Sequence, residues 1–141
     1  MASINYNAVF KYMANGSVLF DGSHTLKAML LTSSYTPDKD HDYTNDVNSY
    51  EVTGTGYTAW GNTCTPTVDA TDNANDKQTI SFSITSWTSS TITARYCVIY
   101  RYRSTTASAN ELICCLDFGS NQVSSSGTFA VSISTPLTIQ N

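Results

Sequence analysis

The chain has 141 residues, of which 13% are charged against about a quarter in typical domains, while Ser, Thr and Asn together fill 51 positions. Seven Lys and Arg against eleven Asp and Glu leave a net charge of −4, with no surplus to neutralise phosphates, so nucleic acid is not an expected partner. A hydrophobic fraction of 40%, with nine Tyr, five Phe and two Trp, excludes a disordered chain and suits a single domain over residues 1–141.

The N-terminus, Met1-Ala2-Ser3-Ile4-Asn5-Tyr6, lacks a basic segment followed by an apolar one, so a product retained in the cytosol is expected. Helical spacing occurs once, at Tyr6, Val9, Phe10 and Met13, with Asn15-Gly16 as a stop. It predicts one short helix at about 5–14. Strand formers follow at Val18 to Phe20 and Thr25 to Thr32, parted by the turn Asp21-Gly22-Ser23. Residues 33–49 are polar, hold Pro37 and show no period, and five of the eleven acidic residues lie between Asp38 and Glu51. They read as a long surface loop, of a length uncommon unless it binds something or a partner orders it.

Tyr50 to Thr53 reads as a short strand, Gly54 to Tyr57 as a turn or bulge, and Cys64 to Asp69 as a strand whose Pro66 suits an edge. Alternation is clear in Thr79 to Thr85, where Ile80, Phe82 and Ile84 share a face. Thr91 to Tyr102 is the longest strand expected, with Ile92, Ala94, Tyr96, Val98 and Tyr100 in one phase and Arg95, Cys97, Ile99 and Arg101 in the other. Apolar groups in both phases predict a central strand covered on both sides. Glu111 to Phe118 is its hairpin partner, Gly119 to Gly127 a second loop, and Thr128 to Ser134 and Leu137 to Ile139 the closing strands. The pattern predicts an all-β fold, an antiparallel β-sandwich or barrel of about seven to nine strands with one short N-terminal helix.

The four cysteines, Cys64, Cys97, Cys114 and Cys115, form no C-x-x-C pair, which disfavours zinc, and buried free thiols are expected. A link from Cys97 to Cys114 or Cys115 stays open. The best metal candidate is Asp38, Asp40 and Asp42, carboxylates at alternate loop positions that could converge on Ca²⁺. An EF-hand counted from Asp38 needs Gly sixth and Glu twelfth, where this chain has Tyr43 and Ser49, so a solvated acidic loop is the expected reading. With only His24 and His41 available, no G-x-S-x-G or HExxH, and no convergent acid pair, an enzyme is not expected and no catalytic residue or cofactor is assigned. Trp60 and Trp87 lie beside turns, as core plugs or as exposed anchors for a partner or sugar ring. Arg95, Arg101 and Arg103 form the only basic cluster, and the acidic remainder favours a protein interface there.

Residues from Asp21-Gly22 through Thr25 to Thr32, Ser34 to Asp38, His41-Asp42, Asp46-Val47, Glu51-Val52 and Gly54 to Tyr57 resemble the opening of a family of small virion structural proteins of tailed bacteriophages. The likeness resumes at Trp87, at Thr91 to Tyr96, at Ile99-Tyr100 and at Leu112 to Gly119, covering about residues 18–120. It departs at Trp60, where the family pattern tends towards Gly. The resemblance implies a non-enzymatic capsid decoration, or cement, protein on the outer surface of the head, made in the host cytoplasm and bridging major capsid subunits. A tail, neck or baseplate component is the alternative within the virion, and a carbohydrate-binding module or adhesin the one outside it. The expected partners are the major capsid protein and the chain itself, a dimer being favoured over a trimer because two-fold interfaces are commonest. No membrane partner is expected. Expected contact residues are Tyr35, Asp38, His41 and Tyr43 in the loop and Arg101 and Arg103 on the strand edge.

Overall fold

The structure, a computed structural model, describes residues 3–133 and 137–140. Its elements are β1 (Ile4–Asn5), α1 (Ala8–Ala14), β2 (Leu26–Leu31), β3 (Asn62–Val68), β4 (Lys77–Ile84), β5 (Trp87–Arg101), β6 (Leu112–Phe129) and β7 (Leu137–Gln140). All pairings are antiparallel, and the strands form one sheet in the order β1-β6-β5-β2-β3-β4-β7 that nearly closes on itself. The all-β expectation with one short helix therefore holds. Pro66 sits inside the sheet between β2 and β4 rather than at an edge. β2 pairs only with residues 62–64 of β3, so Pro66 lies beyond that ladder and no hydrogen bond to β2 is lost.

Two cores lie on opposite faces of this sheet. The inner one joins Val9 and Tyr12 of α1 to Leu26, Ala28 and Leu30 of β2, Cys97 and Ile99 of β5 and Leu137 of β7. The outer one, rich in tyrosine, holds Met29, Leu31, Tyr96, Val98, Tyr100 and Cys115, with Tyr6 and Tyr35. β2 alternates between the two, as a central strand covered on both sides must.

β5 does not keep the single phase expected of it. Ala94 faces Gln122 and Tyr96 faces Asp117, so residues 118–121 stand opposite Arg95 alone. This bulge inverts the alternation: Ile92 and Ala94 enter the inner core before it, and Cys97 and Ile99 do so after it. Tyr96, Val98 and Tyr100 are thereby turned to the outer core.

The expected loop at Gly119 to Gly127 is part of β6, which continues to Phe129 against the first half of β5. The reason lies in what points inward. Ser90 and Ser124 are buried with their hydroxyls 2.8 Å apart, and the Ile92 N–H donates to Ser124 Oγ at 3.1 Å. Val123 faces out instead. Val18 to Phe20 forms no strand, and Tyr50 to Thr53 contributes only a bridge between Leu31 and Glu51.

All four cysteines are free and buried, and the adjacent Cys114 and Cys115 serve the inner and outer cores respectively. Burial pushes the Cys64 and Cys115 thiols up to about 12 and raises those of Cys97 and Cys114 as well. None is therefore expected to react with a disulfide reagent at pH 8 until the chain unfolds, so the labelling rate should track global unfolding across a denaturant series. A fast-labelling thiol in the native protein would contradict this packing.

Candidate docking surfaces

The segment from Thr32 to Val52 is a folded cover. Backbone hydrogen bonds close its ends on each other (Thr32 N–H to Tyr50 O, 2.9 Å), tie its far end to β2 (Val52 N–H to Leu30 O, 3.0 Å) and hold its middle to the β6 region (Thr44 N–H to Asn110 O, 3.0 Å; Leu112 N–H to Asp42 O, 2.9 Å). Two short 3₁₀ turns, 44–46 and 48–50, carry Thr44 and Val47 into full burial. The length that sequence assigns to a binding loop thus has a structural use, which is to close the outer core.

The sequence-predicted contact residues separate accordingly. Tyr35 is 2% exposed and lies among Tyr50, Tyr96 and His41. Its hydroxyl is 3.0 Å from both Tyr6 Oη and His41 Nδ1, and burial pushes it up to about 12. Tyr35 is therefore a core residue, which corrects its expected role as a contact. Tyr43 is half-buried against Tyr12, with ring centroids 5.9 Å apart.

The carboxylates proposed for Ca²⁺ do not converge. Asp38 Oδ1 accepts the Asp40 N–H, Asp40 Oδ1 accepts from Asn7 Nδ2 at 2.8 Å, and Asp42 is held through its backbone. Among the described residues no three His, Cys, Asp or Glu side chains are grouped to hold a metal ion. The reason is local: Asp38 and Asp40 each commit a carboxylate oxygen to a turn or a neighbour.

Arg101 and Arg103 do not stand free on an edge. Arg101 donates to the carbonyl of Ser17, as does Arg103, and Arg103 grips Glu111 through Nε at 2.9 Å and Nη2 at 2.6 Å. Together they fasten the residues after α1 to β5 and β6. Arg95 likewise grips Asp117 through Nε at 2.8 Å, beside the bulge. That bond, with a backbone N–H from Gly119, holds the Asp117 carboxyl below its usual range.

A depressed carboxyl stabilises the fold fully above the unfolded value of about 4 and loses that contribution as pH falls through the folded one. Glu51 has the opposite sign, since burial raises it. Asp117→Asn is expected to cost about 2 kcal/mol at pH 7 and much less at pH 3, read from denaturant melts at both. An equal loss at both would exclude the ion pair as its source.

Beyond these tethers, the described residues enclose a nearly apolar groove of about 320 Å³. One wall is the end of α1 and the strap after it, Met13 and Val18 to Asp21, folded back by Val18 N–H to Tyr12 O at 3.1 Å. The other is formed where Val68 of β3, Ile80 of β4 and Ile139 of β7 come together. Val18 and Ile80 make a buried floor, while Leu19, Val68 and Ile139 remain 38%, 55% and 41% exposed. Sequence gives little sign of it, because four separated segments supply its lining. Its one trace is Val68, an aliphatic residue closing the otherwise polar run Thr65-Pro66-Thr67.

Trp87 is a core plug, stacked on Tyr57 at 5.9 Å, and Trp60 is half-buried against Tyr102. No helix among the described residues is long and apolar enough to cross a membrane. Compared with known protein families, curated proteins and solved structures, the chain matches none.

Proposed function

We propose that this chain is a non-enzymatic structural protein that works by docking onto other protein subunits, on the outer surface of a tailed-bacteriophage head, where it bridges major capsid subunits. The observation that carries the docking reading is the groove ringed by Leu19, Val68 and Ile139. Large apolar side chains gathered around one open groove are relieved from water by association, and scattered surface apolars are not. Groups able to do chemistry are held by neighbours or buried: His24 Nδ1 accepts the Leu19 N–H near the surface, His41 bonds Tyr35, and the thiols are buried. The phage setting rests on the ordered resemblance over residues 18–120, with which an all-β chain carrying one short helix agrees.

The test is to purify particles from the organism that encodes the chain, quantify it by mass spectrometry and locate it by electron microscopy. The expected result is a stoichiometric amount on the head exterior, and addition of recombinant protein to heads that lack it. Density on the tail would favour a tail component, and absence from particles despite expression would sink the virion setting.

A further inference from the structure

We infer that the groove between the strap after α1 and strands β3, β4 and β7 receives a short segment of a protein partner that carries aliphatic side chains beside a Lys or Arg. The inference rests on the docking reading above and adds the chemistry of what docks. Ile139 and Gln78 of the apolar groove also line a second depression, of about 240 Å³, together with Asp72, Asp76 and Lys77. Asp21 lies on the lining at the apolar end. The two adjoining depressions therefore set an aliphatic half beside three carboxylates and one ammonium, and that ammonium is 3.8 Å from Asp72.

Apolar burial supplies affinity to such a surface, and the charge excess selects the partner: basic side chains are favoured and acidic ones repelled. The same excess disfavours a second copy of this chain as occupant. A two-fold contact through the groove would bring Asp21, Asp72 and Asp76 towards their own equivalents in a chain of net charge −4. Buried Val18 and Ile80 give the occupant's side chains an apolar floor, and a volume near 300 Å³ admits a few of them.

The experiment pans a displayed library of random dodecapeptides on the immobilised full chain, then measures synthetic copies of the recovered peptides on wild type, Val68→Lys and Asp76→Asn. Both changes are made to spare the fold. Val68 is 55% exposed, and Asn is at ease at the φ of 52° that Asp76 adopts. Near-ultraviolet circular dichroism checks each variant.

Recovered peptides are expected to combine Leu, Ile or Val with at least one Lys or Arg. Their affinity should fall about tenfold or more on Val68→Lys, a few-fold on Asp76→Asn, and further with salt. The inference is overturned if no peptide is enriched, if the enriched ones lack basic residues, or if Val68→Lys binds them unchanged. It is overturned equally if wild type sediments as a dimer that Val68→Lys dissociates, since the groove would then hold a second copy. Peptide binding by a chain absent from particles would leave this inference standing and remove the virion setting. A head-bound chain whose Val68→Lys variant still adds normally would do the reverse.

Discussion

Gly61→Ala is expected to destabilise the fold by about 3 kcal/mol or more, a large share of the roughly 5–15 kcal/mol that holds a domain of this kind. The residue has φ +73°, and a Cβ built on it would lie 1.8 Å from the Ala28 carbonyl oxygen and 2.7 Å from its carbon. Neither side can yield cheaply. Ala28 is fixed between Asn62 of β3 and Ile99 of β5, and Gly61 itself leads directly into β3. Relief would require β2 and β3 to separate at the residue where their ladder begins. Trp60, immediately before, also sits at positive φ, 75°, a conformation that glycine adopts at no steric cost. A melt of Gly61→Ala within 1 kcal/mol of wild type would show that this turn does not run against β2.

Tyr35→Ala is expected to cost roughly 3 to 5 kcal/mol, the range for truncating a large buried aromatic. Its ring meets Tyr96 edge-on at 5.7 Å and Tyr50 at 5.5 Å, so it joins the cover segment to β5. Tyr35→Phe separates packing from polarity: it keeps the ring, removes the hydroxyl between Tyr6 and His41, and should cost about 1 kcal/mol. Urea titration of both variants decides the point, and a Tyr35→Ala loss below that of Tyr35→Phe would refute a packing role. It follows that deleting residues 35–48 cannot report on partner binding. The deletion would strip Tyr35 and Val47 from the cluster that holds Met29, Leu31 and Tyr100 and unfold the chain first.

Where apolar alternation was strong, the fold could be read ahead of the structure. β4 carries it, the helix carries the three- and four-residue spacing, and β2, the second half of β5 and the first half of β6 are runs of strand formers; all lie close to where these signals put them. Where polar groups take inward positions, the pattern misleads. Ser90 and Ser124 occupy buried sites because each satisfies the other, so a serine-rich stretch reads as loop while it pairs as strand. Val18 to Phe20 failed for the converse reason: these apolar residues wall a groove without entering a ladder.

The candidate sites were less legible than the fold. Acidic and aromatic residues between 35 and 48 stand out by composition, yet composition does not distinguish a cover from a contact. Tyr35 reaches Tyr6 and Tyr96 only after β1 and β5 are in place. The groove depends on Leu19, Val68 and Ile139 meeting across 120 residues of chain, which no local window contains.

The slip at Arg95 gives β5 a junction. Its residues up to 94 and those from 96 onward answer to different inside-outside rules, so each half is a module with its own reading frame. Removing Arg95 alone would join inward-facing Ala94 directly to outward-facing Tyr96 and restore unbroken alternation, so that both halves keep their faces and only the bulge is lost. A chimaera that breaks the chain between 94 and 96 could replace either module without renumbering the other. One that breaks it two residues later would carry the frameshift with it.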